Sequence, residues 1–326
     1  MKEISNYPVV EEVKNFDEKI DLYICVMGFE DRCLGSNKKL SDNNFKSKQT
    51  IIIKYDVYKN ENEANRDEFE DVIAKFSDKF SFINYKTGKS RNEFLTEFKN
   101  EIAKLKFVPN SISINITGMT NHSIISLIDF ALDAAKVTKI IYTEPQTYTT
   151  QLRNSTSFTS GVEDIFTLPN FSGATLPGYP TLLVVTMGYD LTRPRGIISE
   201  LQPTNKIGIM TSPNLKIMND PFNKIKNEHE LLFGKNNLEI LSIFDYESII
   251  KCLERIRQKH VQSHNIIIAL TGSKLLAISV LLFLKKYKDI QLILSTPVTY
   301  HPDRYSKGIG RTFMSDIEAD WFKKFL

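Results

Sequence analysis

Short apolar runs alternate with segments of helical periodicity along the chain, and this alternation restricts the fold more than any other feature. Leu22–Met27 is a continuous apolar run and Thr181–Met187 is a mostly apolar one, and each is closed by a glycine. Such runs are typical of strands covered on both faces. Further strands are predicted at 50–55, 80–85, 111–116, 138–142, 206–210, 238–244, 265–270 and 290–294. Strands that alternate with helices predict parallel βαβ units with right-handed crossovers.

The alternation stops once and then restarts, which divides the chain. The length of 326 residues already favours two domains, at roughly 150 residues each. Residues 144–179 are rich in Thr, Ser, Asn, Gly and Pro, and this composition indicates a break in the alternation of strands and helices. We therefore expect a Rossmann-like domain at 1–148, a linker at 149–179 and a second Rossmann-like domain at 180–326. Asp316–Leu326 is expected to form a short amphipathic helix.

The two halves carry matched turns, which predicts an internal duplication. A glycine follows the first strand of each half, at Gly28 and Gly188, and a Thr-Gly pair follows the fourth, ending at Gly118 and Gly272. The two glycines are 90 positions apart in the first half and 84 apart in the second. Unrelated Rossmann-like domains would also have glycine turns after their strands. The shared order and spacing are what favour the pseudo-repeat.

These turns are the predicted ligand-binding positions. In open parallel sheets, ligands bind beyond the carboxyl ends of the strands, and a helix N-terminus behind a glycine turn attracts anions. Hydroxyl groups and one lysine would add donors, which suits a phosphodiester or a nucleotide. A role in helix capping alone is the competing interpretation. The residues concerned are Gly28, Thr117, Gly118, Thr120 and Asn121 in the first half, and Gly188, Thr271, Gly272, Ser273 and Lys274 in the second.

Two further clusters are candidates for chemistry. Glu30-Asp31-Arg32 follows the first strand, where a carboxylate could act as base or nucleophile beside a sugar. The alternative is a salt bridge in a solvated turn. The second cluster follows the fifth strands and combines aromatic rings for base stacking with cations for phosphate. It runs from Tyr300 to Gly308 with Arg311 following, and its candidate ligand-binding residues are Tyr300, His301, Arg304 and Arg311, with Gly308 and Gly310 typical of a mobile loop. Tyr148, at the matching exit of the first half, is a further candidate. A charged surface loop is the alternative there.

Composition excludes several other classes of function. The net charge of +3 is too small for bulk attraction to nucleic acid or membranes. Three cysteines without paired spacing argue against disulfides and zinc, and Cys25 is expected in the core.

We expect no cofactor, since the first turn is not G-x-G-x-x-G. His122, His260 and His264 are expected at the surface or in caps. With no signal sequence and no apolar run of membrane-spanning length, a cytoplasmic protein is expected.

The strand–Thr-Gly–helix element in tandem α/β halves resembles the CARF (CRISPR-associated Rossmann fold) group and its SAVED relatives. The resembling segments are 115–121 and 269–274, with the turns at Gly28 and Gly188. Those families bind cyclic oligonucleotides, and their domains commonly pair around a two-fold cleft. The resemblance implies a cleft between the two halves of this chain. The sequence departs from the CARF pattern at Met119, where glycine is common, and at Asn115, where an acidic residue is common.

Three functions stay open from the sequence. The first is a nucleotide-sensing module of antiviral defence, acting with a separate effector protein or as a homo-oligomer. The second is an enzyme, either a ring-nuclease-type phosphodiesterase or an NAD-cleaving N-glycosidase that uses Glu30. The third is a scaffold subunit that binds no ligand.

Overall fold

The computed structural model describes residues 7–86, 91–148, 159–212, 219–300 and 306–326. The chain divides into two compact units. Unit 1 contains Met1–Thr149 and Tyr305–Phe325, and unit 2 contains Thr150–Arg304 with the last residue, Leu326.

Strands and helices alternate in both units. The strands are β1 Glu11–Glu12, β2 Lys19–Met27, β3 Lys46–Tyr55, β4 Phe80–Tyr85, β5 Ser111–Asn115, β6 Val137–Thr143, β7 Thr147–Tyr148, β8 Thr159–Ser160, β9 Asp164–Thr167, β10 Thr181–Met187, β11 Asn205–Ser212, β12 Leu238–Ser242, β13 Asn265–Leu270, β14 Gln291–Thr296, β15 Thr299–Tyr300, β16 Ser306–Lys307 and β17 Thr312–Glu318. The helices are α1 Asp31–Ser41, α2 Lys59–Glu63, α3 Arg66–Ala74, α4 Arg91–Ala103, α5 Asn121–Ala134, α6 Thr192–Leu201, α7 Asn219–Phe233, α8 Tyr246–His260, α9 Lys274–Lys286 and α10 Ala319–Phe325.

Each unit is built on one main sheet, and the two sheets share the order of six strands when one is read in reverse, with β1 added at the edge of the unit 1 sheet. In unit 1 the order is β1-β17-β6-β5-β2-β3-β4, and in unit 2 it is β12-β11-β10-β13-β14-β9. The strands from β2 to β6 are parallel, as are those from β10 to β14. The protein is therefore an α/β protein with two tandem Rossmann-like units. They form an internal pseudo-repeat in which β10 to β14 correspond to β2 to β6.

The apolar runs become central strands because both of their faces are covered. β2 is buried from Leu22 to Met27 and β10 from Leu182 to Met187, so neither strand needs polar alternation. Helix α9 is buried along Leu275–Leu284, which explains why its sequence is apolar on every side. Cys25 is 1% exposed and lies in the core, as predicted. Among the described residues, no helix combines the length and apolar character needed to cross a bilayer.

The predicted boundary of the second domain is wrong at its C-terminal end. Thr312–Glu318 is not the start of a helix or part of unit 2, but strand β17 of the unit 1 sheet. The strand pairs antiparallel with the whole of β6, from Thr312 opposite Thr143 to Glu318 opposite Val137. Its alternating burial has the strand period of two, and the helical pattern expected from Asp316 begins only at Ala319.

The predicted linker also contributes to a sheet. Within 149–179, strand β9 pairs antiparallel with β14 at the edge of the unit 2 sheet. Strand β9 follows β6 of unit 1 along the chain, whereas β17 follows β14 of unit 2. Each main sheet thus gains an antiparallel strand beside its fifth parallel strand, β17 next to β6 in unit 1 and β9 next to β14 in unit 2. In both units this strand covers an edge that would otherwise expose unpaired backbone groups.

Candidate ligand-binding site

The strand order places the two predicted glycine turns of each unit next to each other. Strand β2 neighbours β5, and β10 neighbours β13, so both turns of a unit follow adjacent strands at their carboxyl ends. The strand order reverses at these pairs, which is where open α/β sheets bind ligands.

In unit 1 the turns meet at the sulfur of Cys33. A Cβ atom placed on Gly118 would lie 2.4 Å from Cys33 Sγ, and one placed on Gly28 would lie 3.2 Å from the same atom. Gly118 has φ of +78°, a conformation that favours glycine. The Thr-Gly turn therefore needs glycine for both its backbone and its packing.

In unit 2 the turns are also in close contact. A Cβ on Gly272 would lie 3.3 Å from the carbonyl carbon of Met187, and one on Gly188 would lie 3.9 Å from the backbone nitrogen of Ser273. The two glycine turns matched by the sequence comparison therefore lie together within each unit.

The predicted hydroxyl donors serve the fold. Thr117 is 2% exposed and its Oγ1 accepts a hydrogen bond from the backbone N–H of Thr143 at 2.9 Å, which joins β5 to β6. Thr271 is buried in the same way, and its Oγ1 donates to the carbonyl of Thr186 at 2.9 Å. These contacts fix the turns.

Thr120 and Ser273 are helix N-caps. Thr120 Oγ1 accepts from the N–H of Ser123 at 3.2 Å, and Ser273 Oγ accepts from the N–H of Leu276 at 3.4 Å. Both residues therefore cap their helices, whichever ligand the turns bind. Asn121 and Lys274 are the first residues of α5 and α9 and are half-buried.

Glu30 and Arg32 form a buried ion pair at the turn after β2. Arg32 Nη2 lies 2.7 Å from Glu30 Oε2, and both side chains are 7% exposed. Arg32 Nη1 also donates to the carbonyl of Thr143 at 3.0 Å and to the hydroxyl of Tyr142 at 3.3 Å. Burial raises the pKa of Tyr142, and the Arg32 guanidinium opposes that shift. The expected salt bridge is present, but it is buried, which makes it part of the turn's architecture.

Unit 2 has a corresponding acid–arginine pair that the sequence reasoning missed. Asp190 is 3% exposed and accepts from Arg193 Nε at 2.5 Å. Arg193 Nη2 also donates to the carbonyl of Thr271 at 3.3 Å, much as Arg32 reaches across to Thr143. In both halves an acidic residue follows the glycine turn and an arginine comes two or three positions later. This shared pattern is the sequence signal that could have identified the pair in unit 2.

A buried tyrosine–histidine pair lies beside the Thr-Gly turn of unit 1. The hydroxyl of Tyr85 lies 2.8 Å from His122 Nδ1, and His122 is 3% exposed. Tyr55 accepts from the backbone N–H of Thr120 at 2.9 Å. The expectation that His122 lies at the surface or acts only as a cap is wrong, because α5 turns this side chain toward the ends of β3 and β4.

A cavity of about 210 Å³ opens beside the first glycine turn of unit 1. Gly28, Glu30 and Asp31 line it, together with residues of α1 and of the α2–α3 segment. Asp31 Oδ2 also accepts a hydrogen bond from the backbone N–H of Gly308 at 3.1 Å. Two of the three predicted catalytic side chains, Glu30 and Asp31, therefore border a cavity, while Arg32 secures the turn behind it.

The second predicted cluster divides between described and undescribed residues. Arg311 Nε donates to Glu144 Oε1 at 2.6 Å, so its guanidinium takes part in an ion pair. The backbones of Tyr148 and Tyr300 lie in β7 and β15, but their side chains are not described. His301 and Arg304 lie outside the described residues. Within the described part of the chain, no group of three or more His, Cys, Asp or Glu side chains could hold a metal ion.

Comparison with known proteins gives little guidance. No family model matches the chain, and no curated protein matches it. A solved structure titled "Crystal structure of the cytoplasmic domain of a prokaryotic cation chloride cotransporter" aligns over 89% of this chain and 98% of its own. The sequence identity is 9% and the TM-score 0.29, a likeness too slight to support any functional argument.

Proposed function

We propose that this chain is a nucleotide-sensing module, with cyclic oligonucleotides of antiviral defence as the first ligand class to test. The observation that carries the proposal is the adjacency, in each unit, of a glycine turn and a Thr-Gly turn at the reversal of strand order. At such a point helix N-termini face the crevice and favour an anionic group. The resemblance of the Thr-Gly elements to cyclic-oligonucleotide-binding domains supports the same ligand class.

The direct test is a melting screen of the intact chain against NAD, ATP, cyclic dinucleotides and cyclic oligonucleotides. A ligand present at about 100 times its Kd stabilises the native state by about 2.7 kcal/mol. For units of this size, we expect a rise in Tm of about 5–10 °C. A sensor leaves the ligand intact, so chromatography after the screen should recover it unchanged. If none of these nucleotides shifts the melting temperature, the proposal is wrong and the scaffold hypothesis stands.

A matched pair of lysine variants locates the effect. Lys274 is half-buried at the first turn of α9, whereas Lys259 is exposed near the end of α8. Lys274→Ala should reduce the ligand-induced shift, because it removes a cation from the predicted anion site. Lys259→Ala should leave the shift unchanged. Equal effects of the two substitutions would exclude the Thr-Gly turn of unit 2 as the binding position.

An enzymatic function is favoured by one observation, the position of Glu30 and Asp31 on a cavity wall. A carboxylate there could serve an N-glycosidase or a phosphodiesterase. Glu30→Gln should then abolish turnover while the fold is kept. Glu144→Gln is the control, because Glu144 is also buried and paired with an arginine but does not line this cavity. Recovery of every tested nucleotide unchanged by the wild-type protein would reject this alternative.

A further inference from the structure

The cavity beside Gly28 is bounded by three parts of unit 1. Gly28 lines it just after strand β2, Asp31 and Lys38 line it from α1, and Asn62 and Phe69 line it from α2 and α3. At about 210 Å³ it is smaller than the roughly 300–1,000 Å³ of pockets that hold drug-sized ligands. A cyclic oligonucleotide or a whole dinucleotide does not fit, but a single ring does.

The charges on the wall argue against phosphate. Glu30 and Asp31 both line the cavity, and both carry carboxylates. Among the described residues that line it, Lys38 is the one cation, and its ammonium group is bonded to Glu68. Glu30 is balanced by its ion pair with Arg32, so the negative charge that a phosphate would meet is that of Asp31. Desolvating a phosphate beside this carboxylate is unfavourable without dedicated cations. Hydroxyl groups, in contrast, donate to carboxylate oxygens and both donate to and accept from amides.

Asn62 supplies a buried acceptor that the fold does not use. The residue is 4% exposed, and its Nδ2 donates to the carbonyl of Val57 at 2.8 Å. Its Oδ1 accepts no hydrogen bond from any described residue. Most buried polar atoms in proteins are satisfied, so this unpaired oxygen, on a residue of the cavity wall, is a candidate acceptor for a bound group.

The remaining wall is apolar and suits the face of a ring. Phe69 and the partly buried Leu34 line the cavity together with Ile309 from the C-terminal segment. Ile309 packs tightly on α1, since a Cβ on Gly35 would lie 2.1 Å from Ile309 Cδ1. The cavity thus combines an apolar surface with a few polar groups, the composition typical of small-molecule sites.

We propose that this cavity binds an uncharged ring bearing several hydroxyl groups, such as the ribose of a nucleoside, and does not bind phosphate. Hydroxyls of the ring donate to Asn62 Oδ1 and to the carboxylate of Asp31, while the ring face packs on Phe69 and Leu34. The proposal rests on the proposed function only in taking ribose as the example of such a ring. It adds a subsite for the sugar beside the Gly28 turn, whose lining does not include the Thr-Gly turn of unit 1.

The test is saturation-transfer NMR and calorimetry on the full chain, with adenosine, D-ribose, AMP and inorganic phosphate as separate probes. We expect saturable binding of adenosine and D-ribose, with saturation transfer strongest at the ribose protons, and no competition by phosphate. Asn62→Ala should weaken adenosine binding about tenfold, the effect of losing a buried hydrogen bond. Asn60→Ala is the control, because Asn60 lies on the same short helix, is exposed and does not line the cavity.

A second variant keeps the test valid if Asn62→Ala disturbs the fold. Leu34→Trp enlarges a side chain on the cavity wall and should abolish adenosine binding without removing any hydrogen bond. The proposal is overturned if neither adenosine nor D-ribose binds, if phosphate competes with them, or if Leu34→Trp leaves adenosine binding intact. AMP binding that is unaffected by both variants but lowered by Lys274→Ala would reject this subsite and leave the proposed function standing.

Discussion

Replacing Gly118 by alanine should destabilise unit 1 strongly, because two independent penalties combine at this position. The backbone has φ of +78°, and the left-handed conformation costs about 1–2 kcal/mol for a residue with a Cβ atom. The new Cβ would also lie 2.4 Å from Cys33 Sγ and 3.0 Å from Val26 Cγ1. Overpacking of this kind costs about 1–3 kcal/mol. The expected loss in the free energy of unfolding is therefore about 2–5 kcal/mol.

Urea denaturation with circular dichroism measures this loss, and two variants separate its parts. Gly178→Ala has the same backbone penalty, since φ is +81°, but no atom within 4 Å of the new Cβ. It should lose only about 1–2 kcal/mol. Cys33→Ala removes the obstructing sulfur, so the double variant with Gly118→Ala should lose less than the sum of the single losses. If Gly118→Ala is no worse than Gly178→Ala, or if the two losses at 33 and 118 add, the packing argument is refuted.

Three further predictions concern charge, pH and topology. Arg32→Met removes the cation of the buried ion pair with Glu30 and should lower the free energy of unfolding by about 3–5 kcal/mol. Arg66→Met, at the exposed pair with Glu70, should lower it far less in the same urea titration. Burial lowers the pKa of His229 from 6.5 to about 4, so the unfolded chain takes up the proton first and stability should fall by about 3 kcal/mol as the pH drops from 6.5 to 4. His229→Leu should flatten this pH dependence of the urea midpoint. Ending the chain after Arg311 removes β17, the antiparallel partner of β6. Amide hydrogen exchange should then accelerate in β6, while β13 of unit 2 stays protected. Continued protection of β6 would contradict the pairing.

The candidate site could be predicted in part because its framework is local. A glycine that closes an apolar run, or a Thr-Gly pair that precedes a helix, is visible within a few residues of sequence. Gly28 and Gly118, like Gly188 and Gly272, were correctly expected to follow strands of the same sheet. The surroundings of those turns could not be read in the same way. Cys33, Tyr85 and Asn62 reach the site from other parts of unit 1, through side-chain directions that the packing of helices on the sheet sets.

The roles of the polar residues were similarly beyond the sequence. The sequence around Glu30 and Arg32 does not distinguish a catalytic pair from a structural one. Burial and the bonds of Arg32 to Tyr142 and Thr143, more than a hundred positions away, assign Arg32 to the turn, whereas Glu30 also borders a cavity. Thr120 could be recognised as a potential cap from its place before a helix, and the geometry confirms that role.

The sequence by itself determined the α/β class, the two-fold repetition and the turns at the strand ends, because periodicity and glycine placement act over one element at a time. The tertiary structure decided which sheets the antiparallel strands Thr312–Glu318 and Asp164–Thr167 join. Both segments are short, and such a strand pairs through backbone hydrogen bonds with a sheet edge that is open. That choice depends on pairing across about 150 positions of chain, and no local pattern of side chains records it.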